Sequence, residues 1–225
     1  MSPLDWLTAR PIAHRGLHDH AAGIVENTAS AVAAAIDARY GIEVDLQISA
    51  DGEAMVHHDD VLGRLTEGTG PLARMTATEL KRVPFRATGD RMMALGDLCD
   101  LVAGRATLVL ELKSRFDGDA RIALRTVEVL RTYRGPVAAM SFDPDLVGVL
   151  GSQSPGLTRG IVAEARYDHA EWQGLSPTRK RALAHLGHVF RTRPQFVAYA
   201  VHDLPAAAPL IARALFGLPL LTWTV

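Results

Sequence analysis

Four short stretches of this chain place ionisable side chains where they could act together. Glu43 and Asp45 lie two residues apart in GIEVDLQ, so in an extended strand both carboxylates point to one face. Carboxylates held side by side repel each other unless a proton or a cation sits between them. Glu111 and Lys113 repeat the spacing at the end of TLVLELK, and PIAHRG ends an apolar run with His14 and Arg15. EAMVHHDD ends another with His57, His58, Asp59 and Asp60. Clustered carboxylates without a thiolate make a hard oxygen site that favours Mg²⁺ or Ca²⁺ over Zn²⁺. Beside such a cation, two histidines supply proton transfer, and an arginine and a lysine supply fixed positive charge for an anionic substrate.

Each group also has a plain structural reading. A histidine at a strand end is often only a hydrogen-bonded surface residue, Glu111 with Lys113 could be an ion pair, and HHDD could be a solvated turn. Alternation along the strand turns His57 away from the face that His58 occupies, which leaves His57 a structural role. The functional reading rests on coincidence, because four successive strands end in ionisable residues.

The elements that would bring those ends together read as alternating strands and helices. The candidate strands are PIAH, GIEVDLQI, EAMVHH, TLVLELK, PVAAMSF, TRGIVA, FVAYAV and LPLLTWTV, each short and apolar. Helical patterns lie between them, with Thr28, the Thr76/Glu79 capping box and Ser176-Pro177 as starts. Such alternation implies parallel strands with right-handed crossovers, and eight repeats imply an α/β fold closed into a (β/α)8 TIM barrel. A doubly wound sheet is the alternative. In a barrel the C-terminal strand ends surround one mouth, where the ionisable groups would converge. The helix expected after the eighth strand does not follow TWTV, so either the natural C-terminus extends further or the last helix is missing from the ordered part. An uncovered eighth strand would pack on a partner, with a homo-oligomer as one form, or be poorly stable.

The 225 residues, 48% hydrophobic and 22% charged, suit a single domain over 1–225. A net charge of -1 gives no field that would draw nucleic acid or an anionic membrane. Cys99 is the only cysteine, and neither a leader nor an apolar stretch long enough for a membrane span is evident, so a cytoplasmic setting is expected.

Taken in order, His14-Arg15-Gly16, Glu26-Asn27-Thr28, IEVDLQISADG, His58-Asp59 and LELK resemble the glycerophosphodiester phosphodiesterase family. The resemblance weakens in the second half, to Ser141-Phe142 and TWTV. It implies a (β/α)8 barrel in which Glu43, Asp45 and Glu111 bind a divalent cation, with His14 and His58 as acid and base. Arg15 and Lys113 would contact phosphate, and Trp223 would line the pocket near the glycerol. The implied substrate is a small glycerophosphodiester, cleaved to glycerol 3-phosphate and an alcohol. Glu26 and Asn27 would brace the HRG loop or a helix start. Phospholipase D-like cleavage of lysolipids and a non-catalytic phosphodiester-binding barrel are the alternatives.

Overall fold

The computed structural model describes residues 3–223. Ten strands occur among them: β1 (Ile12–Ala13), β2 (Gly41–Ile48), β3 (Ala54–Val56), β4 (Val61–Leu62), β5 (Gly70–Pro71), β6 (Leu108–Leu112), β7 (Val137–Ser141), β8 (Thr158–Ala163), β9 (Phe196–Ala200) and β10 (Leu220–Trp223). Seven form a curled sheet in the order β1-β2-β6-β7-β8-β9-β10, every neighbouring pair parallel.

The sequence reading needs one correction here. EAMVHH is not a barrel strand: its Ala54–Val56 segment pairs antiparallel with the end of β2, Leu46 opposite Val56 and Ile48 opposite Ala54. The cause is the short SADGE link, in which Gly52 adopts φ +84° and the chain doubles back as a hairpin. A parallel return would need a crossover of a dozen or more residues. Among the described residues the parallel strands therefore number seven, not eight. Thr224 and Val225, at the end of the last expected strand, lie outside the described residues.

The helices are α1 (Asp5–Thr8), α2 (Ala29–Asp37), α3 (Ala77–Leu80), α4 (Leu95–Val102), α5 (Arg121–Leu130), α6 (Pro144–Gln153), α7 (Pro177–Ala184), α8 (Val189–Thr192) and α9 (Ala207–Phe216). Thr28 caps α2, the Thr76/Glu79 box caps α3, and Ser176 caps α7, all as expected. None of the described helices is long and apolar enough to cross a membrane.

Strand polarity divides the core. Outward-facing Ile42, Val44, Leu46, Leu108 and Leu110 pack under the helices with Val32, Leu98 and Ile122. Inward-facing Val109, Ala138, Met140, Val162, Phe196 and Ala198 fill the sheet's concave side, with Leu7 of α1 packed among them. A third apolar cluster, holding Met55, Leu62, Leu72, Leu80, Phe85 and Met92, forms between β3 and α4. It supports the loop that carries His58.

Candidate functional site: an acidic cluster at the strand ends

The chain turns sharply after β1 because Arg15 and Gly16 both take left-handed backbone, at φ +59° and +79°. The Gly16 N–H donates to the Ala13 and Glu43 carbonyls, and a Cβ there would lie 2.8 Å from that of Ala31. Only glycine lets this turn rest on α2. The Arg15 amide donates to Glu43 Oε2 at 3.0 Å, and its guanidinium donates to Glu26 Oε1 at 2.8 Å.

Glu43 and Asp45 point into the concave face, and the β2–β6 register sets Asp45 beside Glu111. All three are buried, and one carboxylate oxygen from each lies within 4.8 Å of the others. Asn27, itself at φ +58°, grips Asp45 from behind: its Nδ2 donates to Asp45 Oδ2 at 2.9 Å, and its Oδ1 accepts from the Asp45 amide at 3.2 Å. Lys113 places its ammonium 2.8 Å from Asp45 Oδ1 and 2.5 Å from Glu111 Oε1.

Burial and then repulsion from Asp45 and Glu111 push the Glu43 carboxyl well above its usual range, and burial likewise raises Glu111. Burial works to raise Asp45 as well, but Lys113, His58 and Arg15 outweigh it and hold that carboxyl down. Burial opposes the charge on Lys113, yet Glu111 and Asp45 keep it firmly protonated. Negative charge is thus in excess, and Glu43 Oε1 is buried without a hydrogen-bond partner. A hard divalent cation fits this donor set, because it would occupy that oxygen and relieve the repulsion.

His14 Nε2 lies 3.9 Å from Glu43 Oε2. Burial, helped by Arg15, lowers its pKa to about 4, so its ring is neutral near pH 7. His58 Nδ1 lies 2.8 Å from Asp59 Oδ1. Arg64, in the loop after β4, binds Asp59 through Nε and Nη2 and Glu26 through Nη1 and Nη2. A continuous polar chain, Arg15–Glu26–Arg64–Asp59–His58, therefore ties the two histidine loops together.

A cavity of about 660 Å³ opens over this cluster, and His14, Arg15, Glu43, His58, Glu111, Lys113 and Trp223 all line it. Asp45 lies beneath them, covered by Lys113 and Asn27. His57 is buried elsewhere, its ring centroid 6.3 Å from that of Phe85. Phe142 and His202 reach the cavity, whereas Ser141 donates its hydroxyl to the Leu112 carbonyl. Sequence reasoning missed Arg64, Trp172 and Glu164. Glu164 did carry a signal: it is the first charged residue after the apolar run GIVA of β8, the same strand-end position that marked the other groups.

Fold and site together define an α/β barrel-type protein whose strand ends gather a buried acidic cluster suited to a divalent cation. Residues 14–225 match the model of the glycerophosphoryl diester phosphodiesterase family. The chain belongs to that family. Among curated relatives, it is 32% identical over 130 residues to a glycerophosphodiester phosphodiesterase of Caldanaerobacter subterraneus subsp. tengcongensis, a match covering 54% of this chain and 52% of that one. It is 38% identical over 85 residues to glycerophosphodiester phosphodiesterase 1 of Bos taurus, covering 37% and 24% of the two chains. The matches thus span about half or less of these curated relatives. Among solved structures, an Oleispira antarctica phosphodiesterase in complex with the product sn-glycerol-3-phosphate superposes with TM-score 0.77 at 21% identity, over 97% of this chain and 86% of that one. A Silicibacter pomeroyi structure described as a glycerophosphoryl diester phosphodiesterase gives 0.76 at 25% identity, over 96% and 82%.

Proposed function

We propose that residues 1–225 act as one phosphodiesterase unit, hydrolysing glycerophosphodiesters to glycerol 3-phosphate and an alcohol with the help of Mg²⁺ or Ca²⁺. The observation that carries this reading is the convergence of Glu43, Asp45 and Glu111, within 4.8 Å, beneath a cavity that His14, His58, Arg15 and Lys113 also line.

Glu43, Asp45 and Glu111 would hold the cation, which supplies a positive charge to polarise a phosphoryl oxygen. Arg15 and Lys113 are the fixed cations of the site, and they offset charge that grows on the other phosphoryl oxygens as a fifth oxygen approaches phosphorus. His14 is neutral and partly exposed at the cavity wall, so it suits the role of base, taking the proton from the attacking oxygen, either water, which gives glycerol 3-phosphate directly, or the neighbouring glycerol hydroxyl, whose cyclic phosphate water then opens. His58, with Asp59 holding Nδ1–H, suits the role of acid: Nε2 gives its proton to the departing alkoxide as the P–O bond breaks. Asp59 fixes the orientation of that ring, and Arg64 keeps Asp59 in place.

Release of glycerol 3-phosphate from glycerophosphocholine tests the reading. Activity should vanish with EDTA, return with Mg²⁺ or Ca²⁺, and be lost in His14→Ala. A folded protein that releases nothing under either cation, from several glycerophosphodiesters, would overturn it.

A further inference from the structure

The mechanism above leaves one buried ionisable group unused. Glu164 follows β8 directly, it lines the 660 Å³ cavity that also reaches Glu43 and Glu111, and it is only 3% exposed. Its Oε1 accepts no hydrogen bond of full geometry, although the Trp172 indole N–H stands near the carboxyl, and Glu164 takes part in none of the ion pairs among the described residues. A carboxyl oxygen withheld from water and without a well-formed bond is costly, so a bound donor would satisfy it better than the protein does. Its surroundings are aromatic. Phe142 sits with its ring centroid 4.9 Å from that of Trp172 and 5.6 Å from that of Trp223, and all three line the cavity beside Glu164.

The charges around Glu164 narrow what that partner can be. Burial raises its pKa to about 7, while the Trp172 indole and His169 oppose the shift and Glu171 and Asp203 add to it. Near neutral pH the group is divided between acid and carboxylate. Both forms can accept a hydrogen bond from an alcohol, and apolar rings with a few polar groups suit the C–H faces of a small polyol.

A second cavity of about 760 Å³ meets the first at His58, Lys113 and Glu171. Its walls differ, with Arg64, Arg115 and Arg121 facing Asp60 and Asp119. A phosphate at the junction would send one arm into each chamber. The arm common to all glycerophosphodiesters suits the chamber where aromatic rings flank Glu164, and the variable alcohol suits the more polar one.

We infer that Glu164 is a specificity-determining residue that accepts a hydrogen bond from the free terminal hydroxyl of the glycerol arm, so that the chain selects deacylated diesters over lysolipids. An acyl chain on that hydroxyl would remove the donor, leave Glu164 unpaired and need room among Phe142, Trp172 and Trp223. The inference rests on the proposed phosphodiesterase activity.

The test is a substrate-by-variant cycle. Glycerophosphocholine, glycerophosphoethanol and the choline diester lacking only the terminal glycerol hydroxyl are each given to the unaltered protein, Glu164→Ala and Glu164→Gln. The deoxy substrate keeps the hydroxyl next to the phosphate-bearing carbon, so a nucleophile within the substrate is retained. Glu164→Ala should lower kcat/KM about 10- to 100-fold on both complete glycerol substrates, the scale of one lost hydrogen bond to a polar partner, and by less than about twofold on the deoxy substrate. Glu164→Gln, which fills the same volume, should fall between the two on the complete substrates. Lysophosphatidylcholine should be cleaved at least about 100-fold less efficiently than glycerophosphocholine by the unaltered protein. Equal losses on complete and deoxy substrates would overturn the inference while leaving the phosphodiesterase reading intact. So would a loss confined to the choline substrates, which would make Glu164 a cation binder. If the unaltered protein cleaved none of the diesters, the proposed function itself would fail and the inference with it.

Discussion

Lys113 holds its ammonium 2.8 Å from Asp45 Oδ1, inside a cluster of three buried carboxylates. One side chain therefore serves two opposed purposes, because its charge favours a phosphate and competes with a divalent cation for the same oxygens. Lys113→Met separates them. Turnover should fall about 100-fold with the loss of fixed positive charge, while Mg²⁺ or Ca²⁺ should bind about tenfold tighter to the more negative cluster. Calorimetric cation titration alongside glycerol 3-phosphate release checks both directions. Weaker cation binding in the variant would show that Lys113 props the carboxylates rather than opposing the ion.

Among the described residues Arg64 forms no hydrogen bond or ion pair with the acidic cluster or with a histidine, yet its four hydrogen bonds link Asp59 to Glu26. Arg64→Ala should lower kcat about 10-fold with KM nearly unchanged, the scale seen when a supporting partner of a site residue is removed. Lysine at this position keeps the charge but not the planar fork, so Arg64→Lys should recover only a small part of the loss. Arg64 is half exposed, and steady-state kinetics should change far more than the melting temperature.

Gly16→Ala adds a single methyl where the neighbouring Ala31 Cβ lies 2.8 Å away and φ is +79°. Strain and overlap together should cost about 2–4 kcal/mol of stability, read from urea unfolding. Turnover should fall too, since the same turn directs His14 and the Arg15 amide.

His188 gives a pH dependence separate from the site. Burial, aided by Arg191, lowers its pKa to about 4, against a usual value of 6.5. The folded state thus favours the neutral ring. Its contribution to stability is fully present above pH 6.5 and is lost as pH falls through about 4. Urea midpoints measured at pH 7 and pH 4.5 should lie closer together in His188→Gln than in the unaltered protein. An unchanged gap would mean that other groups carry the acid sensitivity.

Much of the site could be read from the chain because strand periodicity is local. Two residues apart on an extended segment means one face, and this alone puts Glu43 with Asp45 and Glu111 with Lys113. Apolar GIEVDLQI and TLVLELK are buried on both sides as neighbouring parallel strands, so their inner and outer sets follow from alternation. What alternation does not carry is pairing direction. AMV is as apolar as any inner strand, and only the five-residue return through Gly52 makes it antiparallel. Arg64 escaped notice for a similar reason, since its partners Glu26 and Asp59 come from loops 38 and five residues away and no periodicity links them. Glu164 was hidden differently: one carboxylate after a strand looks like any surface acid until its burial is known.

The curled sheet also has a beginning and an end. β10 is hydrogen-bonded to β9 alone among the described strands, and its residues stay partly exposed, whereas β6 and β7 have neighbours on both sides. Amide protons of β10 should therefore exchange with solvent long before those of β6. Trp223, which faces the aromatic chamber, is carried by that less protected strand, so the pocket wall at this point can open without unzipping the strands that bear the carboxylates. Breathing at the margin and rigidity at the charged centre are separate properties of one sheet.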